Sequence, residues 1–196
     1  MPYRDLYDFA QTVEVYETGK QYVSRKVLRD KAMSVTGVNK ITHVRTGADL
    51  GVARGFWLTP TNAEHHLVQQ LGCHVIVTER GLNNCWDRFV YVKELTHIFD
   101  PAGECASAPE TFDNLLGEFA SQGLINERSP QWVSEATAVW RALALLCPEN
   151  KRQEFAAERI AVKIDDYEIA LRLKIPLFHV PKLFSPTFDR MLGEIL

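Results

Sequence analysis

The sequence predicts an α+β domain with a small sheet between two helical regions. Three observations carry this: helical spacing of apolar residues over the first thirty positions, β-branched and aromatic runs confined to a window between Ile41 and Thr78, and helical signals in everything after Trp86. Leu6, Phe9, Val13 and Val15 place one or two helices between Tyr3 and about Ala32, with Gly19 as the break. Ile41 to Gly47 and Ala53 to Pro60 read as a hairpin, with Gly47 and Gly51 in the turn region. A short helix is expected from Asn62 to Leu71, capped by Thr61 or Asn62 and stopped by Gly72, followed by an apolar strand from His74 to Thr78 and a turn over Gly-Leu-Asn-Asn. The next helix runs from about Trp86 to His97 or a little beyond, ending before Pro101. After a loop holding Pro101, Gly103 and Pro109, amphipathic helices are expected over residues 111–122, 132–146 and 150–163, with a last pair around 166–175 and 179–184. The domain proper is assigned to residues 1–163 and the C-terminal pair, packed on it, to 164–196.

Composition narrows the function. The chain has 196 residues, 46% hydrophobic, with 22 basic against 25 acidic side chains, a formal charge of −3. A chain of this length buries roughly 70% of its unfolded surface and needs no disulfide or metal merely to fold. The near-neutral balance argues against a protein devoted to wrapping nucleic acid, which needs a strong positive field. Arg4, Asp5 and Asp8 interrupt the start where a secretory signal needs an apolar run, and no stretch of 18 apolar residues occurs, so a cytoplasmic protein with no membrane partner is expected. Cys73, Cys85, Cys105 and Cys147 form no Cys-x-x-Cys pair and read as reduced packing residues.

Chemistry concentrates in the segment Arg88 to Asp100. Lys93 and His97 are four residues apart and Glu94 precedes His97 by three, so on a helix the three side chains share one side. The zinc-peptidase string His-Glu-x-x-His uses this spacing: two imidazoles one turn apart bind the metal and the glutamate activates its water. Here the string is Lys-Glu-Leu-Thr-His, with Lys93 in the first histidine's place. On their own, Lys93, Glu94 and His97 also fit a helix whose charges pair locally, and Glu135 fits an ordinary surface or first-turn acid.

Arg88-Phe89, Glu94, His97, Glu135-Ala136 and Leu145-Leu146-Cys147-Pro148 occur in the order found in the ImmA/IrrE family of metallopeptidase-like proteins, and the chain resembles that family from about Gly72 to Phe184. The resemblance implies a zincin-like sheet beside an active-site-type helix, with Glu94 as general base, His97 as a zinc ligand and Glu135 as a further ligand. Lys93 departs from the pattern. A protonated amine has no lone pair, and with only His97 and Glu135 left the site falls short of the three protein ligands of catalytic zinc. Lys93 can instead hold Glu94 and Glu135 together as a charge clamp.

The expected function is therefore a regulatory pseudo-peptidase with no cofactor, binding a peptide or protein partner in a degenerate cleft. The alternative is an active zinc endopeptidase using His97, Glu135 and a further ligand, with Glu94 as base. His43, His65, His66, His74 and His179 have no sequence-based placement beside His97. A third reading is a DNA-associated regulator acting through a helix-turn-helix-like segment from Ile164 to Ser185. It is disfavoured because Pro181 interrupts the second helix and few basic residues accompany Lys182 and Arg190.

Overall fold

A computed structural model describes residues 2–16, 19–51, 53–101, 104 and 129–196. The expected helix over 111–122, Gly103, Pro109 and Cys105 lie outside these residues. The described elements are α1 (Pro2–Ala10), α2 (Arg25–Thr36), β1 (Ile41–Thr46), β2 (Gly55–Leu58), α3 (His66–Leu71), β3 (His74–Glu79), α4 (Asn84–Thr96), α5 (Pro130–Leu146), α6 (Glu149–Ile160), α7 (Asp166–Leu173), α8 (Val180–Leu183) and α9 (Pro186–Ile195). Short 3-10 turns occupy Val13–Val15, His97–Phe99 and Leu177–His179. The architecture is mixed α+β around a three-stranded mixed sheet.

The sheet corrects the expected hairpin. Its order is β1-β3-β2, so the first two strands never touch. β3 pairs parallel to β1, with Ile41 opposite His74, and antiparallel to β2, with Gly55 opposite Thr78. The physical reason lies in Val75-Ile76-Val77, all buried: a strand apolar on both faces belongs in the middle of a sheet and displaces the local partner. Alternation along β3 sends Ile76 into the main core, while Val75 and Val77 join Leu58 and Val68 in a smaller cluster beneath α3.

Other boundaries shift for local reasons. α3 begins at His66 rather than Asn62, because the Asn62 side chain accepts from the Thr59 N–H at 2.8 Å in a turn, leaving His65 to cap Leu67 N at 3.2 Å. Gly72 ends that helix at φ 60°. Asn83 caps α4, and Ser129 with Pro130 starts α5, which puts Glu135 in the second turn and not the first. The C-terminal segment is three helices, α7 to α9, rather than a pair, since Ser185 caps a further helix begun by Pro186. Ile169, Leu173, Ile175, Val180 and Leu183 are buried in the same cluster as Leu95 and Leu143.

α4 is the hub. Every residue from Asp87 to Thr96 is buried, an all-round burial found in helices enclosed by other elements. β2 lies so close that a Cβ on Gly55 would stand 2.5 Å from Val90 Cγ1 and 2.8 Å from the Val77 carbonyl. Gly55→Ala is accordingly expected to lose about 1–3 kcal/mol through overpacking, read as a lower urea midpoint, and an unchanged midpoint would contradict this close approach. Of the cysteines, Cys73 and Cys147 are buried free thiols and Cys85 is half-buried. Burial pushes the Cys147 thiol up to about 12, as suits a packing residue. Among the described residues no helix is long and apolar enough to cross a membrane.

Candidate functional site

α4 carries Lys93 and Glu94 into the contact with α5, and His97 follows at the turn where α4 tightens into a 3-10 helix. α5 supplies Glu135 opposite them. Lys93 Nζ lies 2.7 Å from Glu94 Oε1 and 2.5 Å from Glu135 Oε2. His97 Nε2 stands 3.2 Å from Glu135 Oε1 and 3.6 Å from Glu94 Oε2. The four residues singled out from sequence thus form one cluster. Its side chains are almost withdrawn from solvent, 7% exposed at Lys93, none at Glu94, 2% at His97 and 14% at Glu135.

A second layer, invisible in the sequence, holds His97 from behind. Its Nδ1 lies 2.7 Å from Asp100 Oδ2, Ser134 Oγ donates to the same oxygen at 2.6 Å, and Arg141 donates to Asp100 Oδ1. The only local clue was the spacing of Asp100, three residues past His97. Ser134 and Arg141 reach the site because α5 packs along α4, a long-range fact no spacing announces.

Charge accounting explains why so many ionisable groups tolerate burial. Glu94, Glu135 and Asp100 are answered by Lys93 and Arg141, and His97 faces carboxylates through both ring nitrogens, an arrangement in which a neutral ring can donate to only one. Burial works against the Lys93 ammonium, but Glu135 and Glu94 outweigh it and hold the amine above the usual lysine range. Burial likewise opposes the Glu135 carboxylate, and Lys93 and His97 overcome it, keeping that carboxyl well below its ordinary value. At Glu94 burial wins and raises the carboxyl despite Lys93. At Asp100 burial is outweighed by His97, Ser134 and Arg141, which lower it.

These directions fix a pH response. A carboxyl whose folded value is depressed stabilises the protein above its unfolded value and loses that contribution as pH falls toward the folded one. Asp100 and Glu135 start from 3.8 and 4.5, so stability should decline as pH drops through and below these values, while Glu94 offsets part of the loss. Urea midpoints measured at stepped acid pH test this, and a midpoint that rose on acidification would contradict it.

Glu94, His97 and Glu135 present ligand atoms within 4.8 Å of one another, the one such group among the described residues. The set does not fit a catalytic zinc. Lys93 occupies the space between the two carboxylates, so a dication would have to sit beside that ammonium, and only His97 and Glu135 would remain as ligands besides Glu94.

No protein-family model, curated protein or solved structure matches the chain.

A cleft of about 230 Å³ opens beside Lys93 and Glu135, walled by Trp86, Phe89, Val139 and Phe178. Of its polar residues, sequence reasoning did not single out Arg54 and left His179 without a place. Arg54, in the left-handed region at φ 58°, lays its guanidinium over Trp86 with Cζ 4.0 Å from the ring centroid. His179, left near the C-terminus by the sequence, stacks on Phe89 at 4.1 Å. Burial, together with the charges of Lys182 and Arg54, depresses His179 to about 4. The remaining histidines lie elsewhere: His43 pairs with Thr78 Oγ1 at 2.8 Å, His74 stacks on Trp57, and His65 stacks on His66.

Proposed function

We propose that this chain is a metallopeptidase-like binding protein, in which the Lys93 ammonium takes the place of a metal ion and the cleft holds a peptide or protein partner without cutting it. The observation that supports the reading is the position of Lys93 Nζ, 2.7 Å from Glu94 and 2.5 Å from Glu135. A positive charge there neutralises the acids as a dication would, but it offers no open coordination position and polarises no water. Glu94, the residue the ImmA/IrrE resemblance would make the base, is fully buried against Lys93 and out of reach of a bulk water.

Binding needs none of that chemistry. β2 lies at the edge of the sheet among the described residues, directly beside α4, and an extended chain can add to such an edge through backbone hydrogen bonds. The regulatory setting proposed here follows from the same resemblance, whose members with intact motifs cleave transcriptional repressors. The competing reading, a zinc endopeptidase built on Glu94, His97 and Glu135, is favoured by the closeness of their ligand atoms but requires Lys93 to leave the cluster.

Metal analysis of chelator-free purified protein tests the choice. Zinc well below one equivalent per chain, with no chelator-sensitive proteolysis, is the expected result. Near-stoichiometric zinc would overturn the proposal and move the peptidase reading forward.

A further inference from the structure

We infer that the cleft beside Lys93 is a receptor for the C-terminal residue of a peptide, enclosing its apolar side chain and reading its free carboxylate with Arg54. The inference rests on the peptide-binding reading above and specifies which end of the partner is taken. At about 230 Å³ the cleft is smaller than the usual pocket for a drug-sized ligand, and its aromatic and aliphatic walls suit one bulky side chain. Phe178, 70% exposed at its rim, extends the apolar surface outward.

The polar groups facing this apolar space supply the chemistry. Arg54 is half-buried at the mouth, and no described carboxylate forms an ion pair with it. Its guanidinium already lies over Trp86, with Cζ 4.0 Å from the ring centroid, a contact that restrains its fork of donors before any ligand arrives. Its left-handed backbone is a sparsely populated state for an arginine, the kind of strain that persists where a side chain must be aimed. Glu135 also lines the cleft, but its carboxylate lies against Lys93 Nζ at 2.5 Å, so it is already paired within the cluster, and Arg54 is the cation at the mouth without a described ion-pair partner. His179 is 6% exposed, and its Nδ1 has no hydrogen-bond partner, so a buried polar atom awaits a ligand group on the same wall.

Topology gives the bound chain a direction. Arg54 immediately precedes β2, which runs from Gly55 to Leu58. A peptide added antiparallel to the outer edge of β2 would therefore run from the Leu58 end toward Gly55, and its last carboxylate would arrive at Arg54.

Calorimetric titration of the full chain with three probes tests the inference: an acetylated pentapeptide of alanines ending in leucine and phenylalanine with a free carboxylate, the same peptide as its C-terminal amide, and 3-phenylpropionate. The acid should bind at least about tenfold more tightly than the amide, as a charge-assisted bidentate contact requires. Arg54→Gln should erase that advantage with only a small fall in melting temperature from the lost contact with Trp86, Arg54→Lys should keep part of it, and Val139→Trp should abolish binding by filling the cavity. Equal affinity for acid and amide, or an advantage that survives Arg54→Gln, would overturn the C-terminal assignment while leaving peptide binding standing. Binding of 3-phenylpropionate without the peptide, or of no probe, would also overturn it. None of these readings involves zinc, so failure here is distinct from failure of the metal analysis.

Discussion

Replacing Lys93 with methionine is expected to cost about 3–5 kcal/mol of stability at neutral pH, the usual penalty for leaving buried charges without their partner. The methionine keeps most of the side-chain volume, so the loss would come from charge and not from a cavity. Glu94 and Glu135 would then face each other with their shared cation gone, one fully buried and the other 14% exposed. Like charges and burial both raise a carboxyl. A folded value above the unfolded reference of 4.5 costs stability as pH rises through and beyond it, and costs nothing well below it. The gap between wild type and Lys93→Met should therefore be wide near about pH 7 and narrow toward about pH 5. Denaturant titrations at both values decide the matter. Equal stability of the two proteins at neutral pH would mean that the ammonium does not clamp the carboxylates.

The opposite manipulation converts the clamp into a ligand. Lys93→His restores the full His-Glu-x-x-His string, with Glu135 available across the helix contact as the third protein ligand. His97 already has the carboxylate behind it that metal-bound histidines use, since Asp100 Oδ2 sits 2.7 Å from Nδ1. The variant is expected to bind about one zinc per chain with an affinity in roughly the nanomolar range. At free zinc about 100-fold above the dissociation constant, linkage would add about 2.7 kcal/mol to stability. Competition against a chromogenic chelator measures the affinity. Adding Asp100→Asn to the variant should weaken it about 10–100-fold. No gain in zinc affinity would show that α4 and α5 do not hold their side chains at ligand spacing once the ammonium is removed.

The sequence carried the site only as far as local periodicity and the ImmA/IrrE resemblance reach. Lys93, Glu94 and His97 could be grouped because a helix places positions three and four apart together, and the structure sets them around one another within 3.6 Å of a partner. Glu135 entered through the resemblance alone, because nothing in its own neighbourhood distinguishes it from a surface acid. Arg54 went unread and His179 unplaced for a related reason: they line one cleft made from residues more than a hundred positions apart. In the sheet, alternation identified strands but not partners. The runs containing Thr42 and Phe56 were both legible as β, yet only the burial of Val75 to Val77 on two faces reveals that a third strand separates them.

That strand order has a consequence for how the molecule comes together. β1 and β2 share no hydrogen bond, so every ladder bond in the sheet involves β3, the last of the three to leave the ribosome. Until Glu79 has emerged, the first two strands have no sheet to join, and when β3 arrives both ladders close on the same residues. Because Gly55 packs on α4, the close approach of β2 to the site helix waits on that step as well. The pairing is non-local, with Ile41 meeting His74 across an intervening strand and helix, and such contacts slow folding because a long loop must close before they contribute. Closure of the sheet and placement of β2 beside the site helix thus depend on the same strand, through the residues Val75 to Val77.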